Sequence, residues 1–201
     1  VNLARRTAFV PAARLSAWLS RFSAAHGGQL ALEDTDDGVS LRLRDGAVAL
    51  LSPPWPEDGR PGRGANLLER IESLAAQERR LGIILVRRGG YGVGIAAGGK
   101  LVAHKVGTAS SRSRGGDQAA AIVERAAAEA AKIFAGASFE YVAPGGDKLL
   151  VESALATPAL RRYAKLTRLA PLAVVDPKMD VLTRAAADYC SIRIRITEPP
   201  A

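Results

Sequence analysis

Apolar residues along this chain recur at two spacings, and the changes from one to the other outline its elements. Leu15, Trp18, Leu19 and Phe22 lie three and four residues apart, which predicts an amphipathic helix over residues 11–25, stopped by Gly27-Gly28. Short alternating runs follow at 29–32, 39–43 and 47–51, read as strands, with Asp45-Gly46 as a hairpin turn. Residues 52–65 are rich in Pro and Gly and have no period, so they read as a linker or long surface loop. A boundary placed there separates an N-terminal extension, residues 1–65, from a main domain, residues 66–201.

The main domain opens on a predicted helix over 66–79, carried by Leu67, Leu68, Ile71 and Leu74. Strands at 81–87, 91–97 and 101–108 are punctuated by Gly89-Gly90 and Gly98-Gly99, the pattern of tight hairpins. The longest helix begins at Asp117 and ends near Gly136, with Ile122, Val123, Ala126, Ala130, Ile133 and Phe134 as its apolar stripe. A strand over 139–142, helices over 147–156 and 158–165, an apolar stretch at 169–175, a helix over 178–187 and a strand over 189–196 complete the reading. Strands in both hairpin and crossover contexts predict an α/β (α+β) fold, a mixed sheet flanked by helices.

Composition adds a partner class. The 201 residues carry 28 Lys and Arg against 20 Asp and Glu, a formal charge of +8. That excess fits RNA, DNA or an anionic membrane, although a GC-rich gene would also enrich Arg and Ala. Cys190, the one cysteine, falls in the alternating run 189–196 and reads as a packed core thiol. A single cysteine allows no internal disulfide, and no apolar run has the length of a membrane span. The N-terminus mixes polar residues into its apolar stretch and makes a poor signal peptide. The expectation is a soluble, cytoplasmic monomer.

Most motif-like stretches fail on context. Gly94–Lys100 fits half of a phosphate-binding P-loop, but Leu101 follows the lysine and the next residues alternate like a strand. A hairpin turn is the better reading. The stretch from Gly92 to Ala97 resembles a dinucleotide fingerprint and fails in the same way. His26 and His104 have no Cys, Asp or Glu at ligand spacing, there is no nucleophile elbow, and Asp36-Asp37 and Glu57-Asp58 read as solvated loop pairs. No metal or cofactor is expected. An RNase H-like nuclease would need converging carboxylates, which the central strands lack.

One stretch survives. Between Gly98 and Gly116 stand Lys100, Lys105, Arg112 and Arg114 with no carboxylate, and Thr108, Ser110, Ser111 and Ser113 add hydroxyls. Such a segment can follow a phosphate backbone without reading bases. Gly115-Gly116 supplies a slim tip, and Gln118 stands in the first helical turn, where amide donors point outward. Those residues fit a second reading equally well: Asp117 as an N-cap, glycines as a common loop ending, and Gln118 incidental.

The strand ending in His104-Lys105, the Ser/Thr/Arg loop, Gly115-Gly116-Asp117-Gln118 and the Ala-rich helix resemble the Vms-like release factors, particularly their bacterial peptidyl-tRNA hydrolase branch. These are related to the central, RNase H-like domain of eukaryotic class I release factors with its Gly-Gly-Gln tip. Pro144-Gly145-Gly146-Asp147 and Val175-Asp176-Pro177 extend the likeness, which spans roughly residues 76–197. Asp117 stands where relatives often carry Ser, and alanines follow Gln118 where more Arg is usual. The resemblance implies water attacking the peptidyl-tRNA ester on stalled ribosomes or large subunits. Gln118 would position the water, Gly115 and Gly116 would permit insertion, and Lys105, Ser111, Arg112, Ser113 and Arg114 would contact rRNA or tRNA. Other readings are cleavage near the tRNA CCA end and a non-catalytic ribosome- or RNA-binding quality-control factor.

Overall fold

A computed structural model describes residues 5–56, 58–108 and 116–199, with the side chains of residues 116 and 117 excepted. Two five-stranded sheets organise the described residues, and the chain divides into two compact units. Unit 1 comprises Val1–Gln77 and Cys190–Ala201, and unit 2 comprises Glu78–Tyr189.

In unit 1, β1 (Arg5–Val10), β2 (Gln29–Thr35), β3 (Gly38–Leu43) and β4 (Val48–Ser52) join the last strand, β10 (Ile192–Thr197), in the antiparallel order β1-β10-β4-β3-β2. Alternation places Val39, Leu41, Ala49, Leu51, Ile192, Ile194 and Ile196 on one face. Against them pack α1 (Leu15–Ala25), through Leu15 and Phe22, and α2 (Leu67–Ala75), through Ile71 and Ala75. Asn66 caps α2 by accepting from the Glu69 amide at 2.9 Å, while Glu69 reaches back to the Ala65 amide at 2.7 Å. The predicted linker is tied down against that helix. The amide of Arg63 donates to Ser73 Oγ at 3.1 Å, and Gln77 Nε2 donates to the Arg60 carbonyl at 3.0 Å.

The boundary anticipated at residue 65 therefore differs from the observed division. Residues 52–77 stay with the first sheet, and the final strand returns to it. Alternation gave β10 its type but could not name its partner, since any half-buried sheet would accept Ile192, Ile194 and Ile196.

Unit 2 contains β5 (Arg80–Arg87), β6 (Gly90–Ala97), β7 (Lys100–Thr108), β8 (Tyr141–Gly146) and β9 (Thr167–Arg168), in the order β7-β6-β5-β8-β9. The first three form the expected antiparallel meander, and β8 and β9 run parallel to β5. The sheet is therefore mixed, as the pattern predicted. Gly98 and Gly99 both have positive φ, 53° and 75°, so the P-loop-like stretch is a hairpin turn. The crossover helix α3 (Gly116–Ala135) and α4 (Lys148–Ala156) bury Ile122, Ala126, Phe134, Val151 and Leu155 over one face. Helix α5 (Met179–Tyr189) packs against β6 and β7, with Leu182 beside Gly92.

Three expectations are corrected. Residues 158–165 form successive turns rather than a helix. Leu160 is fully buried there and Tyr163 stacks on Phe139 at 5.3 Å, so packing of these two side chains shapes the backbone. The strand expected over 139–142 lies at Tyr141–Gly146, because pairing with β5 continues through Pro144, Gly145 and Gly146. Cys190 is half-buried in the turn after α5, not in a strand. Helix α5 extends to Tyr189, whose hydroxyl donates to the Pro144 carbonyl and accepts from the Leu172 amide at 3.2 Å.

Candidate functional site

Strand directions in unit 2 decide where its loops gather. Strands β5, β7 and β8 all run the same way, so their C-terminal ends share one edge. Thr108 pairs with Gly90, Gly90 with Arg87, and Val86 with Gly146, making one row across that edge. From it lead the chain into α3, the chain into α4, and the hairpin Arg87-Arg88-Gly89-Gly90. This is the end of an α/β sheet where ligands ordinarily bind, because helix N-termini point their free amides there.

The candidate loop springs from this row. Ser111, Arg112, Ser113, Arg114 and Gly115 lie outside the described residues. Gly116 is the first residue of α3, so the helix begins one residue before the expected Asp117. Gln118 stands in the first turn and is half-buried. Arg125 lies two turns along on the same side of α3. Its Nη1 donates to the carbonyl of Thr108, the last residue of β7, at 3.0 Å, and its guanidinium lies 6.0 Å from the centroid of the Tyr91 ring. Gly107 completes this clamp, since a Cβ there would stand 2.5 Å from Tyr91 Cε1. Both chain segments that flank residues 109–115 are therefore fixed to the same aromatic ring.

Lys105 is exposed on β7 opposite Val93, on the face covered by α3. Lys132 donates to Glu129 at 2.7 Å, and this bond, with the charges of Lys132, Lys105 and Arg125, holds the Glu129 carboxyl below its ordinary 4.5. Lys105 thus adds to a charged stripe along α3, about three residues or ~10 Å of strand from the loop base.

The sequence reading missed Arg87 and Arg88. Arg88 is exposed at the hairpin, and Arg87 Cδ would stand 3.2 Å from a Cβ at Gly146. The signal was an Arg-Arg pair immediately before a Gly-Gly turn. The register puts that turn about one strand spacing, ~5 Å, from Thr108. The two further resemblance motifs meet at this edge as well. Asp147 caps α4 through Leu149 N at 3.0 Å and Leu150 N at 3.2 Å, and Leu172, just before Val175-Asp176-Pro177, bridges Gly145.

His26, for which sequence spacing showed no acidic neighbour, lies in unit 1 with Nδ1 2.7 Å from Asp45 Oδ2. Among the described residues no group of three or more His, Cys, Asp and Glu could hold a metal, and no helix is long and apolar enough to cross a membrane.

No curated protein matches the chain. A family model described as the Actinobacteria/chloroflexi VLRF1 release factor matches residues 79–195, a span that includes the loop, its clamp and the converging motifs. With more than half of its 201 residues matched, this chain belongs to the Actinobacteria/chloroflexi VLRF1 release factor family.

Proposed function

We propose that this release-factor family member hydrolyses the ester joining a nascent peptide to tRNA on stalled ribosomes or large subunits. Supporting this above all is the position of Gln118 in the first turn of α3, two residues after Gly116 and at the edge where unit 2 gathers its loops. Ester hydrolysis there needs no ionised protein nucleophile. Water adds to the ester carbonyl, the tetrahedral oxyanion collapses, and the tRNA 3′ oxygen leaves with a proton. Gln118 orients the water, and backbone amides beside it stabilise the oxyanion. Gly115 and Gly116 let the segment enter a narrow cavity. Lys105, Ser111, Arg112, Ser113 and Arg114, joined by Arg88, contact rRNA or tRNA phosphates through charge and hydrogen bonds. The working environment is the cytoplasm.

The test is peptide release from stalled large subunits with both products scored. Gln118→Ala should slow release by on the order of 100-fold, the usual effect of removing one preorganised polar group from such a site. Intact tRNA should accumulate with the wild type. Undiminished release by Gln118→Ala would refute the assignment, and a shortened tRNA would replace ester hydrolysis by strand scission.

A further inference from the structure

Unit 1 buries one face of its sheet under α1 and α2; the other face has a composition unlike a core. Residues paired in register share a face. Arg5 opposite Thr197, Phe9 opposite Arg193, and Arg195 opposite both Thr7 and Leu50 therefore stand together. All are half-buried or exposed. A groove of about 620 Å³ crosses this face, with Val48 and Leu50 in its lining, Arg5 and Arg195 along one side and Ser40 and Thr35 along the other. Among the described residues neither Arg5 nor Arg195 has a carboxylate partner. Glu33 on this face is paired with Arg42, and Asp37 is the one carboxylate among the residues lining the groove. The Arg193 guanidinium carbon lies over the Phe9 ring, 5.5 Å from its centroid, forming a cation–aromatic platform beside the groove.

We propose that this sheet face binds a single-stranded RNA segment, independently of the loop in unit 2. Unpaired guanidinium groups present planar forks that match phosphate oxygens, and the threonine and serine hydroxyls suit ribose and phosphate. The apolar strip of Val48 and Leu50 and the Phe9–Arg193 platform supply surfaces for ribose and base, as sheet-borne single-strand sites do. An acidic peptide would satisfy the arginines but would leave the platform and apolar strip without a flat partner.

Fluorescence anisotropy of a labelled 12-nucleotide oligouridylate with the full chain, over a salt series, tests this. Arg5→Glu/Arg195→Glu should weaken binding at least tenfold and reduce the log–log salt slope by about 1.4, the single-strand value for two lost phosphate contacts. Arg5→Gln/Arg195→Gln should lose affinity to a lesser degree. Circular dichroism melts should match the wild type, since both side chains are exposed. Gln118→Ala should bind the oligonucleotide normally, so a failed release assay and a failed binding assay are separate results. Unchanged affinity and slope in both double variants would overturn the proposal. So would displacement of the RNA by polyglutamate at equal charge concentration, which would assign the face to an acidic protein.

Discussion

Adding one methyl group at Gly107 is the sharpest test of how the candidate loop is held. Alanine is compatible with strand backbone, and replacing glycine by itself stabilises by about 0.4–1 kcal/mol through the unfolded chain. Against that, the new Cβ would stand 2.5 Å from Tyr91 Cε1 and Cζ and 2.6 Å from the hydroxyl. Tyr91 is 2% exposed within the core of unit 2, so the ring has little room to retreat. Strand β7 lies at the sheet edge and can shift outward, which puts the cost within the usual overpacking range of about 1–3 kcal/mol. The net expectation is a loss of about 1–2 kcal/mol, or very roughly 2–8 °C in melting temperature for a chain of this size. Urea unfolding followed by circular dichroism measures it, and amide exchange should localise the weakening to the β6–β7 ladder. Tyr91→Leu removes the ring, so Gly107→Ala should become neutral or stabilising in that background. A Gly107→Ala variant as stable as wild type would refute the reasoning. A cost undiminished in the Tyr91→Leu background would place its origin elsewhere.

Other expectations follow from the same contacts. Arg125→Met loses an exposed bond to Thr108, so global stability should fall by about 1 kcal/mol or less, while the proposed peptide release should fall several-fold as the loop base loosens. Tyr189→Phe removes the hydroxyl shared by the Leu172 amide and the Pro144 carbonyl but leaves their own 3.2 Å bond in place, so it should cost about 0.5–1.5 kcal/mol by urea unfolding. Phe134→Ala opens the core beside Phe139 and Tyr163 and should cost about 3–5 kcal/mol. The Asp45 carboxyl is held below its ordinary 3.8, chiefly by the Ala47 amide and then by His26. Its contribution is therefore complete above pH 3.8 and is lost as pH falls through the lower folded value; Asp45→Ala should remove that part of the acid transition, read by NMR titration and Trp18 emission.

How far the sequence foretold this arrangement depends on the range over which each feature is determined. Local chemistry was readable. Gly98-Gly99 and Asp45-Gly46 make the expected turns because φ above zero is a property of single residues, and the apolar stripe of α3 lies where its period put it. Features set by distant partners were not. The length of β8 depends on β5 continuing alongside it, and β10 belongs to unit 1 because its isoleucines complete a core assembled from residues 10–75. Residues 158–165 have helical spacing but follow the demands of Leu160 and Tyr163. At the candidate site, Gln118 and the two glycines stood out as a motif. Tyr91, Gly107 and Arg125 did not, since each looks ordinary until the register brings the three together.

That register also explains how the candidate loop can be anchored at the margin of a sheet. Among the described residues β7 is an edge strand, with a paired neighbour on one side only, and an edge strand is the easiest part of a sheet to fray. Gly107 allows the Tyr91 ring to lie close over β7, and Arg125 reaches from α3 across that ring to the last carbonyl of the strand. The strand end and the third turn of the helix are thereby joined through one buried aromatic. Whatever path residues 109–115 take, their two ends are fixed in relation to each other, which limits the region Gln118 can occupy. The water positioning proposed for Gln118 depends on such restraint, because a neutral side chain contributes through geometry more than through charge. Loss of the clamp should therefore lower the proposed peptide release more than it lowers binding to the ribosome, whereas loss of Arg112 or Arg114, the proposed phosphate contacts, should do the reverse.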